Sequence, residues 1–365
     1  MRVTVRIAAP PAVRDGQANV AGFIERVEAA DAYGFDRISV GDTQLHNLEC
    51  FTALTVIATH TSRALYGPGV TNPVTRDVGV MANTLASIDA LGGGRAFCLI
   101  ARGDGAVHNA GLRPATVSGI RDYFLALRDL LHTGKATYGD RTVRLPWVAE
   151  LEHHVPLYLV AEGPRMLRLA GEIADGVFVG TGLQAEVVRE TLDRIHDGAR
   201  GVGRDPAELD IWWDTRSGIA LTHDDAFYRA KESLASVGNH AFRAGFEGKH
   251  VPPELHDKLR AYQQRFDYSE KGTSAQNGPL MEELGLADYF TERFGVVGTP
   301  DEVVARLREL EAIGVNQVSL ASHNRGLKGV PDSVELLGQH VLPRVSATAA
   351  ASSPAASIPA VATGV

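Results

Sequence analysis

Seven short runs carry most of the groups in this 365-residue chain that could do chemistry on a polar ligand. They are Gly41-Asp42-Thr43, Gly67-Pro68-Gly69-Val70-Thr71-Asn72-Pro73, Ala101-Arg102-Gly103-Asp104-Gly105, Ala161-Glu162-Gly163-Pro164-Arg165, Gly180-Thr181-Gly182, Asp214-Thr215-Arg216 and Ser322-His323-Asn324-Arg325. Glycine lets backbone amides approach a ligand closely, and arginine, hydroxyl and amide groups hold phosphate oxygens. No G-x-S-x-G nucleophile and no H-E-x-x-H metal motif occurs, and the adjacent His153 and His154 diverge on a strand. The pattern predicts no metal site. It predicts a pocket for a polar cofactor that supplies the difficult chemistry itself.

These runs gain meaning from what precedes them. Short β-rich stretches begin at Val3, Phe35, Ala64, Arg95, Pro156, Val177, Leu209 and Gln317, with helical patterns between. Val20 to Tyr33 places Phe23, Ile24, Val27 and Ala30 on one face, and Gly34 closes that helix. The helix–Gly–strand phrase returns at Val303 to Leu320, through Gly314. Eight alternating β and α elements predict an α/β fold of the (β/α)₈ TIM-barrel type, whose active site lies at the C-terminal strand ends. A doubly wound open sheet competes, but no glycine fingerprint follows the first strand.

Two segments interrupt the rhythm of the single domain expected over residues 1–345. Ala136 to Leu145 predicts a hairpin insertion, and Gly238 to Phe294 a helical, lid-like insertion over the mouth. Residues 346–365, almost all Ala, Ser, Pro, Thr, Val and Gly, predict a disordered tail.

The net charge of −8 argues against a nucleic-acid partner, which demands clustered Lys and Arg. No apolar run approaches the roughly 18 residues of a membrane span, so no membrane partner and a cytoplasmic location are expected. The two cysteines, Cys50 and Cys98, sit in apolar company and predict buried, reduced thiols. Several candidates also have bland readings. Asp42 suits helix capping as well as catalysis, Arg102 a salt bridge with Asp104 as well as phosphate contact, and His323 and His46 a solvated loop as well as proton donation. Arg165 opens a helix, where a cation is mildly unfavourable and hints at a ligand. Of the adjacent Trp212 and Trp213, one must face the barrel interior and the other the outside.

The stretch from Gly67 to Ala115, with its G-V-T-N-P element, resembles the bacterial-luciferase-like flavin and deazaflavin oxidoreductases. Within them the resemblance is closest to the methylenetetrahydromethanopterin reductase-like branch. A-E-G-P-R at Ala161 to Arg165 and V-G-T-P-D-E-V at Val297 to Val303 extend it, so that it runs from about Val3 to Leu342. The resemblance implies reduced coenzyme F420 as hydride donor to a C=N, C=C or C=O bond of a small-molecule substrate. The alternative it leaves is an FMN-dependent, two-component monooxygenase served by a partner reductase, and a non-catalytic flavin-binding protein is a third. It also implies a homodimer and a non-prolyl cis peptide at Gly69–Val70 beside the cofactor ring, with Thr71 and Asn72 next to it. Cofactor contacts are implied for Arg102, Gly103, Glu162, Gly163, Pro164, Arg165, Gly180 and Thr181, and catalytic roles for Asp42 and His323. Many deazaflavin-using relatives carry His where this chain has Thr43.

Overall fold

Both faces of the first strand are filled, and that double burial is what a barrel demands. In β1 (Arg2–Ile7), Val3, Val5 and Ile7 join the outer core, and alternation turns Arg2, Thr4 and Arg6 to the interior. The computed structural model describes residues 1–10, 19–44, 47–243, 245–246, 248–267, 276–322 and 331–346. The remaining strands, in chain order, are β2 (Arg37–Val40), β3 (Leu65–Pro68), β4 (Cys98–Ile100), β5 (Lys135–Tyr138), β6 (Arg141–Arg144), β7 (Leu157–Ala161), β8 (Gly176–Val179), β9 (Asp210–Asp214), β10 (Arg216–Ile219), β11 (Gly295–Gly298) and β12 (Gln317–Ser322).

Eight of them form a parallel sheet in the order β3-β2-β1-β12-β9-β8-β7-β4. Bridges between Tyr66 and Ala96 and between Thr71 and Ile100 join its two edges, closing the ring. The eight β-rich runs read from the sequence each lead into one of these strands, beginning at most three residues early, so the (β/α)₈ barrel stands. Helices Val20–Tyr33, Cys50–His60, Val78–Leu91, Val117–Thr133, Pro164–Ile173, Ala185–Gly201 and Pro300–Ala312 lie outside it. Several of their starts are capped by polar side chains, as Asn19 does for Gly22 N at 3.0 Å and Asp77 for Gly79 N at 2.9 Å. Gly34, at φ 89°, ends the first helix in the left-handed region where glycine is unstrained. Residues such as Val27, Leu54 and Ile57 are wholly buried between helices and sheet, each worth roughly 1.5–3 kcal/mol. Trp212 faces the interior and Trp213 the outer core.

The β-rich run that begins at Leu209 holds two strands. Thr215 donates its N–H and Oγ1–H to the Ser319 carbonyl, at 3.1 and 2.9 Å, and the chain turns away from the barrel after it. The continuation, β10, pairs with β11. The sequence reading missed β11, because Gly-Val-Val-Gly is only four residues and follows helix Ala287–Phe294 without a spacer.

The insertion builds its own core. Helices His223–Phe242, His256–Arg265, Asn277–Glu283 and Ala287–Phe294 bury Phe242, Tyr262 and Phe290, with Tyr262 and Phe290 edge to face at 5.5 Å. Gly218 lets the first of these helices press on β10, since a Cβ there would come 2.0 Å from the Ala226 carbonyl. β5 and β6 form the antiparallel hairpin. Among the described residues no helix is long and apolar enough to cross a membrane, and both cysteines are buried and free.

Candidate functional site

The ends of the barrel differ in what they do with charge. At the N-terminal end, Arg37 lies among the rings of Trp212, Tyr158 and Phe97, its guanidinium carbon 4.4, 4.7 and 5.0 Å from their centroids. Its Nη2 donates to Asp210 Oδ2 and to the Tyr158 hydroxyl, both at 2.7 Å. Asp210 also accepts from Tyr158 (2.7 Å), Trp212 Nε1 (2.9 Å), Gln317 (2.6 Å) and Arg2. Burial alone would raise the Asp210 pKa, but Arg37, Arg2 and these donors hold it well below the ordinary carboxylate value. The floor is closed.

At the C-terminal end a cavity of about 560 Å³ opens between the ends of β4 and β7. Arg102, Gly103, Glu162, Gly163, Pro164 and Arg165, all predicted, line it together. Arg102 donates Nε–H to the Ala115 carbonyl at 2.5 Å, which leaves the rest of its fork for other acceptors. It does not pair with Asp104. Gly103, at φ 102°, packs so tightly on Val107 that a Cβ would lie 2.4 Å from its Cγ2. Gly163 caps helix Pro164–Ile173 without a side-chain hydrogen bond, Pro164 begins the helix with no N–H, and the following amides face the cavity end. Arg165 is exposed.

The remaining wall comes from the insertion, which sequence reasoning could not interpret. His240 sits between two carboxylates, with Nε2 2.9 Å from Glu162 Oε2 and Nδ1 3.3 Å from Asp104 Oδ2. Arg243 reaches Asp104 Oδ1 at 3.1 Å. Glu162, followed by Asp104, pushes the His240 pKa up to about 9, against the opposing effect of burial. At neutral pH the imidazolium therefore clasps the β4 and β7 loops to the insertion. The i,i+3 spacing of His240 and Arg243, at the C-terminal end of one helix, was the available sequence signal.

The predicted ring shelf follows β3. The Gly69–Val70 peptide is cis. A Cβ on Gly69 would stand 2.7 Å from that of Ser39, so the backbone lies directly on β2. Val70 packs with Leu99, Val160 and Phe178 inside the barrel. Thr71 and Asn72 are buried and carry internal bonds. Thr71 Oγ1 donates to Asp42 Oδ2 at 2.6 Å, and Asn72 Oδ1 accepts from Val74 N, Thr75 N and Thr75 Oγ1 at 3.0, 2.9 and 3.2 Å.

Asp42 does not stand free. Arg76 grips both its oxygens, Nε to Oδ2 at 3.0 Å and Nη2 to Oδ1 at 2.9 Å, and also reaches Glu49. Burial would lower the Arg76 pKa, but the bonds to Asp42 and Glu49 leave it raised. After β8, a Cβ on Gly180 would meet Glu162 Oε1 at 2.7 Å, so this glycine makes room for the His240 partner. Thr181 Oγ1 shares a 3.0 Å hydrogen bond with Thr191, and its carbonyl accepts from Arg293 at 3.3 Å. Thr181 thus ties β8 to the insertion. His323, His46 and the tail lie outside the described residues.

The chain matches known proteins along most of its length. The family model described as luciferase-like monooxygenase matches residues 1–317. The chain is 28% identical over 324 residues to the 5,10-methylenetetrahydromethanopterin reductase of Methanolobus tindarius, covering 86% of this chain and 93% of that one. It is also 28% identical over 323 residues to the F420-dependent glucose-6-phosphate dehydrogenase of Segniliparus rotundus, covering 83% and 88%. The solved structure of the coenzyme F420-dependent tetrahydromethanopterin reductase from Methanopyrus kandleri superposes with a TM-score of 0.75 at 25% identity, covering 94% of this chain and 99% of that one.

Proposed function

Because the chain belongs to the luciferase-like monooxygenase family, we propose that it is an oxidoreductase that binds reduced coenzyme F420 and directs a hydride to a C=N, C=C or C=O bond of a small organic substrate. The observation that carries this reading is the cavity at the β4 and β7 ends, where Arg102, Arg165, Arg243 and a helix N-terminus converge on one space. The residues present suit a phosphorylated, flat-ringed cofactor. Nothing lies within 4 Å of a Cβ built on Gly163, so the space beside the free amides is open, and such a terminus is a natural seat for phosphate. The reductases and the dehydrogenase that this chain resembles carry F420-linked or pterin-linked names.

When bound, the deazaflavin would supply two electrons as hydride. The chain's own groups do the rest. Arg102 and Arg165 would hold phosphate, with Gly103, Gly163 and Pro164 leaving it room. Gly69 and Val70 would set the height of the ring, with Thr71 and Asn72 fixing the turn beneath it. Glu162, Gly180 and Thr181 would anchor the insertion that keeps water from the mouth. Asp42 would hold Arg76 at the substrate edge, and His323 would carry the accompanying proton.

The family's description favours one other reading, an FMN-dependent monooxygenase supplied by a separate reductase. Fluorescence titration of the purified protein with F420, FMN and FAD separates the two. Micromolar binding of F420 alone is expected. Binding of FMN without F420 would replace the reading by the monooxygenase, and binding of none would leave a protein that is not flavin-dependent. The same reading carries a homodimer in the cytoplasm. Light scattering on the eluted protein would show twice the chain mass, and a monomer would sink that part.

A further inference from the structure

Across the mouth from that cavity, the barrel interior holds polar atoms that neither the fold nor the proposed cofactor uses. β1, β12 and β9 lie side by side, in a register that sets Thr4 beside Ser319 and Ser319 beside Asp214. Val3, Val5, Val318, Leu320 and Trp213 belong to the outer core, so alternation turns Thr4, Ser319 and Asp214 inward. Thr4 and Ser319 are 3% and 1% exposed. Neither hydroxyl has a partner among the described residues, an arrangement that proteins seldom leave in place.

Two guanidiniums cap this layer. Arg6 Nη2 donates to Asp214 Oδ1 at 3.2 Å, and Arg216 Nη1 to Asp214 Oδ2 at 2.6 Å. The pinned Thr215 between them makes Asp214 and Arg216 face the same way. That bond is the one side-chain hydrogen bond of Arg216 among the described residues, and the residue's side chain is 20% exposed, so its remaining N–H donors open on the mouth. In the ring order, β12 stands nearly opposite the β4–β7 cavity. The ring shelf lies between. Arg6 is the register partner of Ser39, and Ser39 packs against Gly69.

We propose that Arg216, with the hydroxyls of Thr4 and Ser319 beneath it, seats an oxyanion of the substrate, so that the hydride acceptor is a small organic carboxylate or phosphate. A guanidinium fork matches either group. This inference rests on the opposite cavity being the cofactor's. It places the acceptor's charged end on the β9–β12 side and its reactive carbon above Gly69–Val70.

The test is calorimetric titration with benzoate and, separately, with inorganic phosphate, each on the full-length protein with and without saturating F420. At least one probe binds in both states, and the tighter one tells carboxylate from phosphate. Its affinity falls about tenfold or more in Arg216→Gln, as loss of a charge-assisted hydrogen bond predicts, and about threefold in Ser319→Ala. Arg165→Gln leaves it unchanged, and Arg216→Gln leaves F420 affinity within about twofold. Ser319→Ala removes one oxygen, so it carries the test if Arg216→Gln does not fold. Absence of binding by both probes overturns the proposal. So does binding indifferent to both variants, which would mark an adventitious ion only. Benzoate binding that depends on Arg216 in a protein that ignores F420 would sink the cofactor reading and leave this seat standing.

Discussion

The floor and the mouth of this barrel use the same residue types to opposite ends. On the floor, Arg37 is buried among Trp212, Tyr158 and Phe97 and bonded at 2.7 Å to the largely covered Asp210. At the mouth, Arg102, Arg165, Glu162 and His240 surround open space, and the bonds they do make reach loops or the insertion. A charge walled by rings is closed to a ligand even where a donor is left over, as Arg37 Nε is. A charge on a loop, with donors that open on a cavity, is not. Arginine is informative here through the space around it.

The widest test of that contrast is on the floor. Asp210→Ala strands Arg37 without its carboxylate, and breaking a buried pair in this way costs roughly 3–5 kcal/mol. Urea denaturation measures the loss, with F420 affinity of the folded protein unchanged. A cost below about 1 kcal/mol would mean the floor is not structural, in the range of exposed pairs. The depressed Asp210 pKa gives the sign with pH. Its contribution is present above the unfolded carboxylate value of about 3.9 and is lost only as pH falls through the lower folded value. Stability at pH 5 and pH 8 should therefore not differ on its account.

At the mouth the order reverses. Arg165→Gln combined with Arg102→Gln should weaken cofactor binding by about 10- to 100-fold, since charge-assisted bonds to phosphate are lost. The midpoint of denaturation should hardly move, as expected for exposed positions. An unchanged Kd with a lowered midpoint would invert the comparison.

The clasp lies between these extremes. His240 has its pKa raised to about 9, so its stabilising effect is full below the unfolded histidine value of about 6.5. The effect declines as pH rises toward 9 and is gone above it. The gap in melting temperature between wild type and His240→Gln should therefore shrink from pH 6 to pH 10. A constant gap would show that the imidazole stays neutral between its two carboxylates.

The barrel was legible because period and punctuation agree. Phe23, Val27 and Ala30 mark a helix face, Gly34 its end, and each β-rich run that follows is a barrel strand. Gly103, Gly163 and Arg165 were legible as a set, since all follow strands and strand ends share one rim. What escaped depends on pairing across long separations. Arg76 holds Asp42 from 34 residues away, and His240 holds Glu162 from 78. β11 escaped for a related reason, as only its partner β10 makes Gly-Val-Val-Gly a strand.

The smallest change gives the sharpest reading of the mouth. Gly163 has φ −91° and ψ 157°, a conformation any residue adopts, and a Cβ there meets nothing within 4 Å. Gly163→Ala should leave stability unchanged or raise it by up to about 1 kcal/mol, because alanine has less freedom to lose from the unfolded chain. The added methyl would nonetheless sit where a phosphate must approach the helix amides. Cofactor affinity should then fall by about threefold to tenfold, while benzoate binding at Arg216 stays as it was. If the variant binds F420 as tightly as wild type, the phosphate does not lie on that helix, and the arginines at the mouth must be holding some other part of the ligand.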